Sequence, residues 1–342
     1  MRPASIASID YHTGGEPFRI VADPPIDLPG RTVAERRAHA LEDPDAQWLR
    51  SVLCSEPRGH ADMYGGFIVP PDDEGADFGV LFWHKDGFST ACGHGTIALG
   101  AWAIDSGMAR ASREAGDGPH DVVIDVPSGR VTARVHLRQG RPAGVDFVNV
   151  PSWAITDGLV VSTSAGEFRV EVGFGGAIYA MLPASMAGLA VEPPHLEALI
   201  RLGREIKWAL NDHEVARHPT DDRLSGIYGT IWYDDLGQPD AGVLHQRNVT
   251  VFADGEVDRS PCGSGTSARL AVLAAQGRLA AGGVLRHDSI IGSSFIARIL
   301  DEVEVDGRVA VLPQVSGMAY RTGEHRFWVD AEDPLVPGFL LR

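Results

Sequence analysis

Cysteine is scarce in this chain, with three among 342 residues. So small and odd a number builds no disulfide framework, and the thiols are expected to stay reduced, as in a cytoplasmic protein. Basic charge is also in deficit: Lys and Arg number 30 against 46 Asp and Glu, a formal net charge of −16. A surface this acidic repels the phosphate backbone and anionic lipid, which excludes nucleic acid and membrane surfaces as partners. No apolar run approaches the ~20 residues that span a bilayer. The opening MRPASIASIDYHTGG has no apolar core of the kind a secretory leader needs, so none is expected. Turn-formers are plentiful instead. The 40 Gly and 22 Pro predict many short strands and few long helices. With 44% hydrophobic and 22% charged residues, the composition is globular, and the length suffices for two domains.

The chain repeats itself once. CGHGTIALGAWA begins at Cys92 and CGSGTSARLAVLA at Cys262, half a chain apart. Both read Cys-Gly-x-Gly-Thr-x-Ala and continue as Ala/Leu-rich helices. Both follow an apolar strand and a loop, GVLFWHKDGFSTA in one case and RNVTVFADGEVDRSP in the other. Two copies of domain length point to two similar α/β domains rather than a solenoid. Alternating or apolar runs predict strands at 4–10, 78–83, 122–126, 130–136 and 144–150. In the second half they fall at 168–172, 177–182, 227–233, 243–252, 289–299 and 303–312. PSG at 127–129 reads as a hairpin turn. Helices are expected at 32–53, interrupted by Pro44, and at 195–216, with Leu196, Leu199, Ile200, Ile206 and Leu210 on one face. The two post-cysteine helices carry almost no charge and are expected to be buried. The expected fold class is therefore α/β of the α+β type, each half a mixed sheet around a central helix. The junction is expected within 150–158, giving domains of 1–155 and 156–319.

A cysteine at a helix start faces unpaired N–H groups and a partial positive charge, which lower its pKa from about 8.5 toward neutrality. The glycines allow a sharp turn and a close approach to the amides, which form a carboxylate-binding nest. Two such motifs facing one another would hold a carboxylate between two thiols. One thiolate could then remove an α-proton from one face while the other thiol delivers a proton to the opposite face, inverting the centre without a cofactor. The stretches GHGTIA and GSGTSA also fit a loose dinucleotide fingerprint, but a loop of about eight residues separates strand from glycines, and the fingerprint has no use for a repeated Cys. His60 and Asp62 have no second ligand cluster in the sequence, so no metal is expected. Cys54 reads as a packed core thiol, EDPD at 42–45 as a solvated bend, and His12, Thr13 and Glu16 as members of a tight Gly-Gly turn.

Four stretches in order, HTGGEP at 12–17, EPRGHADMYG at 56–65, CGHGT at 92–96 and DRSPCGSGT at 258–266, resemble the proline racemase family. That family contains proline racemases, 4-hydroxyproline 2-epimerases and trans-3-hydroxy-L-proline dehydratases. The resemblance implies a fold like that of diaminopimelate epimerase, two domains related by a pseudo-twofold with the site in the cleft. It also implies that the segment 320–342 returns to the first domain. By position it implies Cys92 and Cys262 as the acid/base pair, the amides of Gly93, His94, Gly263 and Ser264 as the carboxylate cradle, and Asp258 as the holder of the substrate's ring nitrogen, with the His94 side chain nearby. It implies no cofactor. The expected partner is a small-molecule substrate, proline or a hydroxyproline, with a second copy of the chain as a candidate. Much of the sequence is similar to the dehydratase branch, yet that branch typically carries Thr where this chain has Cys262. Inversion needs an acid on the second face and a Thr hydroxyl is too weak, so the thiol favours racemisation or epimerisation. Dehydration is the alternative, and an amino-acid-binding homologue without turnover is a third reading.

Overall fold

The computed structural model describes residues 4–109, 116–240 and 242–341. In chain order the strands and helices of the first part are β1 (Ser5–Thr13), β2 (Glu16–Val21), α1 (Val33–Glu42), α2 (Pro44–Cys54), β3 (Gly65–Val69), β4 (Phe78–His84), β5 (Gly87–Phe88), α3 (Gly93–Asp105), β6 (Gly118–Val126), β7 (Gly129–Arg138) and β8 (Arg141–Val148). Then come β9 (Trp153–Thr163), β10 (Gly166–Phe174), β11 (Ile178–Pro183), α4 (Leu196–Leu210), β12 (Ile227–Asp235), β13 (Val243–Phe252), β14 (Glu256–Asp258), α5 (Gly263–Ala275), β15 (Val284–Ser289), β16 (Ser294–Val305), β17 (Arg308–Gly317) and β18 (Ala319–Trp328).

The chain forms two compact units, Met1–Val145 with Met318–Arg342, and Asp146–Gly317. The first break falls inside β8, between Val145 and Asp146, ahead of the residue 155 expected from the sequence. The second falls at Gly317/Met318, just ahead of β18, which pairs with β1 from Ser5↔Trp328 to Thr13↔Ala319. Of the expected returning segment, Arg342 lies outside the described residues.

The described strands of each unit form a mixed, mostly antiparallel array, and the two arrays contain the same series of pairings. In the first unit β1–β2 is antiparallel, β2–β3 parallel, β3–β4 antiparallel, β4–β6 parallel and β6–β7 antiparallel. In the second, β10–β11, β11–β12, β12–β13, β13–β15 and β15–β16 follow in that same alternation. β18 flanks the first series and β9 the second, both antiparallel. The repeat seen in the sequence is thus a repeat of topology.

The post-cysteine helices occupy equivalent places. α3 is apolar on all sides and touches β1, β2, β7 and β18, and Gly100 admits Ala133 so closely that a Cβ there would lie 2.7 Å from the Ala133 methyl. α5 touches β9, β10, β16 and β17 of its own unit, and Gly175 lies against its backbone, where a Cβ would meet Ser264 O at 2.4 Å. A bridge between Ser152 and Val311 joins the two ends of the second array around it. Burial all round removes the usual amphipathic stripe, which is why these helices carry so little charge.

The segment expected as one interrupted helix is two. Pro44 takes the first position of α2, where its missing N–H costs nothing, and Asp43 Oδ1 caps the new start by accepting from Asp45 N (3.0 Å) and Ala46 N (2.7 Å). EDPD is therefore a helix-to-helix joint. The helix expected to 216 ends as α4 at Leu210, and its inner face is Leu199, Leu202, Ile206 and Leu210, with Leu196 and Ile200 only half-buried. It is tied to the sheet by Trp232 Nε1 donating to Leu199 O (3.0 Å) and Thr230 Oγ1 to Gly203 O (2.9 Å).

Candidate active site

In the first unit the HTGGEP stretch is a two-residue hairpin turn. Thr13 pairs with Glu16, and Gly14 and Gly15 have φ of 58° and 95°, the left-handed values a primed turn requires. Thr13 Oγ1 donates to His94 O at 2.9 Å, so the turn holds the start of α3. Cys92 is the N-cap of that helix, with extended backbone (φ −155°), and its sulfur takes the place of the usual capping oxygen: Gly95 N donates to Cys92 Sγ at 3.2 Å. Thr96 returns both N and Oγ1 to Cys92 O, at 3.0 and 2.8 Å. The amides of Gly93 and His94 open the helix ahead of these, where a helix offers no backbone acceptor of its own.

The His94 ring lies beside the same sulfur, Nδ1 at 3.4 Å and Nε2 at 3.7 Å. It is held edge-on between Phe18 (5.8 Å between centroids) and Tyr64 (5.0 Å). A ring N–H in this place donates to a thiolate, and a protonated ring would pair with it. Gly95 is indispensable to the packing, since a Cβ would stand 2.4 Å from the Phe18 ring and 2.8 Å from Cys92 Sγ.

In the second unit Cys262 occupies the N-cap position of α5, but with φ 62° and ψ 106°, a backbone region that a side-chain-bearing residue rarely enters. Such a conformation costs on the order of 1–3 kcal/mol and persists only where its surroundings fix it. Here Cys262 N donates to Ser260 Oγ (3.1 Å), Thr266 N to Cys262 O (2.8 Å), and Pro261 O accepts from both Asn248 Nδ2 and Thr266 Oγ1 (3.0 Å each). Asp258, buried at the end of β14, organises the approach: its Oδ1 accepts from Ser260 N (2.8 Å) and Ser260 Oγ (2.7 Å). Ser264 Oγ is 2.7 Å from the Tyr179 hydroxyl, which lies 4.0 Å from Cys262 Sγ. Gly265 mirrors Gly95, since a Cβ there would be 2.9 Å from Cys262 Sγ.

Electrostatically the second thiol departs from expectation. Position at a helix start predicts a lowered pKa, but burial pushes the Cys262 thiol well up, and the Asp258 carboxylate adds to the rise. The Gly265 amide and the Thr250 and Tyr179 hydroxyls act the other way without cancelling it. Cys262 is thus a neutral thiol at neutral pH.

The structure places Cys92, Gly93 and His94 together at the start of α3, and Asp258, Cys262, Gly263 and Ser264 together at the start of α5. Cys54 is elsewhere, buried in the core beneath α2, with Sγ 3.7 Å from Met63 O. His60 and Asp62 form a local turn, His60 Nδ1 accepting from Asp62 N at 3.2 Å. Sequence reasoning missed Phe18, Tyr64, Tyr179 and Ser260. Of these, Ser260 in DRSPCGSGT and Tyr64 in EPRGHADMYG lie within the singled-out stretches and carried a usable signal, whereas Phe18 and Tyr179 sit in ordinary strands.

The chain is similar to known proteins along nearly its whole length. A family model described as proline racemase matches residues 8–340. The chain is 42% identical over 334 residues to a trans-3-hydroxy-L-proline dehydratase of Bacillus cereus, covering 98% of this chain and 97% of the relative. It is equally 42% identical, over 339 residues, to a 3-hydroxyproline 2-epimerase of Burkholderia multivorans, covering 99% and 98%. The solved structure of a hydroxyproline epimerase from Agrobacterium vitis, with bound trans-4-hydroxy-L-proline, superposes with a TM-score of 0.91 at 31% identity over 100% of this chain and 97% of that one. With a cysteine at the N-cap position of each twin helix and a family match along nearly its whole length, the chain is an enzyme of the proline racemase family.

Proposed function

We propose that the protein inverts C2 of a hydroxyproline by proton transfer between Cys92 and Cys262, without a cofactor. The observation that carries this reading is the second thiol. Cys262 is held in a strained backbone with its sulfur packed against Gly265, as that of Cys92 is packed against Gly95. A thiol at this place can give a proton to the second face, for which a Thr hydroxyl is too weak an acid.

The two half-sites differ in the way a proton exchange needs. Cys92 has an imidazole nitrogen 3.4 Å from its sulfur, and Cys262 is kept neutral by burial and Asp258. In this reading Cys92 rests as the thiolate and takes the α-proton, while Cys262 gives its own proton to the opposite face. The sulfurs exchange charge and no proton is gained or lost overall. The substrate's ring ammonium binds Asp258, which offsets the carboxylate's effect on Cys262 and frees its proton for transfer. The amides of Gly93, His94, Gly263 and Ser264 hold the carboxylate and stabilise the charge that develops on it. Because relatives of equal identity bear names of 3-hydroxyproline enzymes, a 3-hydroxyproline is the first substrate to try.

A second reading is dehydration of trans-3-hydroxy-L-proline, supported by the similarity to the Bacillus cereus dehydratase. In that substrate the α-hydrogen and the 3-hydroxyl share a face, so one thiol suffices to remove the proton and assist loss of water. Incubation of cis- and trans-3-hydroxyproline, trans-4-hydroxy-L-proline and L-proline in D2O, followed by proton NMR, separates the two. Inversion yields the C2 epimer carrying one α-deuteron. A pyrroline-2-carboxylate without any epimer would replace the first reading with the second, and absence of both products from every substrate would sink both.

A further inference from the structure

The repeat places His94 and Ser264 at equivalent positions, two residues after their cysteines. In the first unit the side chain at this position reaches its own sulfur, at 3.4 Å. In the second, Ser264 turns its hydroxyl to Tyr179, and the Tyr179 hydroxyl is the group near the sulfur, at 4.0 Å, a distance within reach of a sulfur hydrogen bond. Tyr179 is fully buried on β11, opposite Gly173 on one side and Gly229 on the other, and shares an apolar cluster with Cys262 and Ala268. Its ring is fixed edge-on to Tyr228 at 5.7 Å, and Tyr228 stacks on Phe252 at 5.6 Å.

We propose that Tyr179, anchored by Ser264, is a positioning residue for the second thiol: its hydroxyl switches from accepting the Cys262 S–H to donating to the Cys262 thiolate when that proton has left. The proposal rests on Cys262 being an acid/base group, and it adds the partner that makes its charged form attainable. When Cys262 is neutral, S–H points to the Tyr179 oxygen. When it is a thiolate, the phenol O–H turns to sulfur and Ser264 O–H turns to the phenol oxygen, so each oxygen keeps its own proton throughout. Burial makes the phenol far harder to ionise than usual, which keeps it a donor across the working range. The other groups facing this sulfur are the Asp258 carboxylate, the Thr250 hydroxyl and the Gly265 amide, and Tyr228 is the ionisable neighbour of Tyr179. Asp258 opposes the thiolate until the substrate's ammonium pairs with it, and the donors to sulfur then stabilise the charged form. A buried hydrogen bond to a charged group is worth about a factor of ten or more.

The test reads Cys262 directly, without turnover. The full-length protein is alkylated with iodoacetamide across a pH series, and modification at Cys262 is followed by peptide mass spectrometry. Tyr179→Phe is expected to move the midpoint for Cys262 upward by about one pH unit, while Tyr228→Phe, which keeps the packing, leaves it in place. In epimerisation assays the alkaline limb of kcat/KM should move up by the same amount, with kcat about tenfold lower and KM little changed. An unchanged or lowered Cys262 midpoint in folded Tyr179→Phe overturns the proposal. Should that variant fail to fold, Ser264→Ala is read the same way, with an upward shift expected and no shift overturning it. A shifted midpoint in an enzyme that acts on none of the prolines would overturn the proposed reaction and leave this inference standing.

Discussion

Gly265 lies directly beneath the sulfur of Cys262, so that a methyl group on its α-carbon would stand 2.9 Å from Sγ, and Gly95 stands in the same relation to Cys92 at 2.8 Å. Each glycine is the third helical residue after an N-cap cysteine, and each lets the sulfur settle against the first turn. The two alanine substitutions should nevertheless behave differently. At Gly265 the other close atom is Ile231 Cδ1, the movable end of a side chain, at 2.8 Å. Gly265→Ala is expected to fold with nearly unchanged thermal stability and to lose about 100-fold in kcat, the usual result of displacing a reacting group by an ångström. At Gly95 the new methyl meets the Phe18 ring at 2.4 Å, so Gly95→Ala should in addition lower stability by about 1–3 kcal/mol, read by urea unfolding.

Replacing either thiol with serine should remove inversion, since a hydroxyl is several pH units too weak an acid. Cys92→Ser and Cys262→Ser are each expected to lower epimerisation more than 1000-fold, measured by polarimetry, without loss of helix content by circular dichroism. Retention of inversion by either variant would remove that sulfur from the mechanism. If the protein also dehydrates trans-3-hydroxy-L-proline, one of the two variants should keep that activity, which identifies the thiol on the hydroxyl-bearing face.

The imidazole beside Cys92 gives a third expectation. His94→Ala removes a ring nitrogen 3.4 Å from the sulfur, and with it a donor to the thiolate. A thiolate that loses a donor is harder to form, so the acidic limb of kcat/KM should move to higher pH and the alkaline limb should stay. His94→Phe, which keeps the ring packing against Phe18 and Tyr64, should give the same displacement. If only the alanine variant moves the limb, the ring acts through packing alone.

The duplicated motif was legible because almost every residue in it answers a local geometric demand. The glycines admit the sulfurs, and the threonines satisfy carbonyls at the helix start, Thr96 that of Cys92 and Thr266 that of Pro261. Such demands operate within a few residues and leave a pattern in the chain. The mixed sheets around apolar helices followed from the same stretch, since a helix without charge must be covered on all sides. What acts across the fold leaves no comparable pattern. Tyr179 reaches Ser264 across 85 positions from the plain apolar run AIYAML. The direction of the Cys262 shift was hidden for a related reason: helix-start chemistry is local, whereas burial is a property of everything packed around the sulfur. Pro44 was visible as an interruption, but only the Asp43 cap shows that it starts a second helix instead of bending the first.

Acid should destabilise the protein in a window set by histidines rather than by carboxylates. His287 on β15 is fully buried, and burial, with help from the Arg269 guanidinium, pushes its pKa down to about 3. Its Nδ1 is 2.8 Å from Thr266 Oγ1, whose own proton goes to Pro261 O, so the ring donates there as the neutral form. In the first unit burial likewise lowers His84 to about 3. A histidine whose folded-state pKa is depressed binds its proton more readily when unfolded, near the ordinary value of 6.5. Its contribution to stability is therefore complete above pH 6.5 and is lost as pH falls toward 3, with a slope of up to about 1.4 kcal/mol per pH unit for each such group. Carboxylates held low in the fold, Asp288 among them, lose their contribution only below their ordinary 3.8. Between pH 6 and pH 4, urea unfolding should therefore show stability falling by up to two protons' worth of slope from His84 and His287, with the half-buried His218, also shifted down by burial, adding in the same direction. His287→Gln should remove about one proton from that slope, whatever it does to stability at pH 7. An unchanged slope in that variant would mean that His287 is already protonated in the folded protein, and that the Thr266 contact is made by a charged ring.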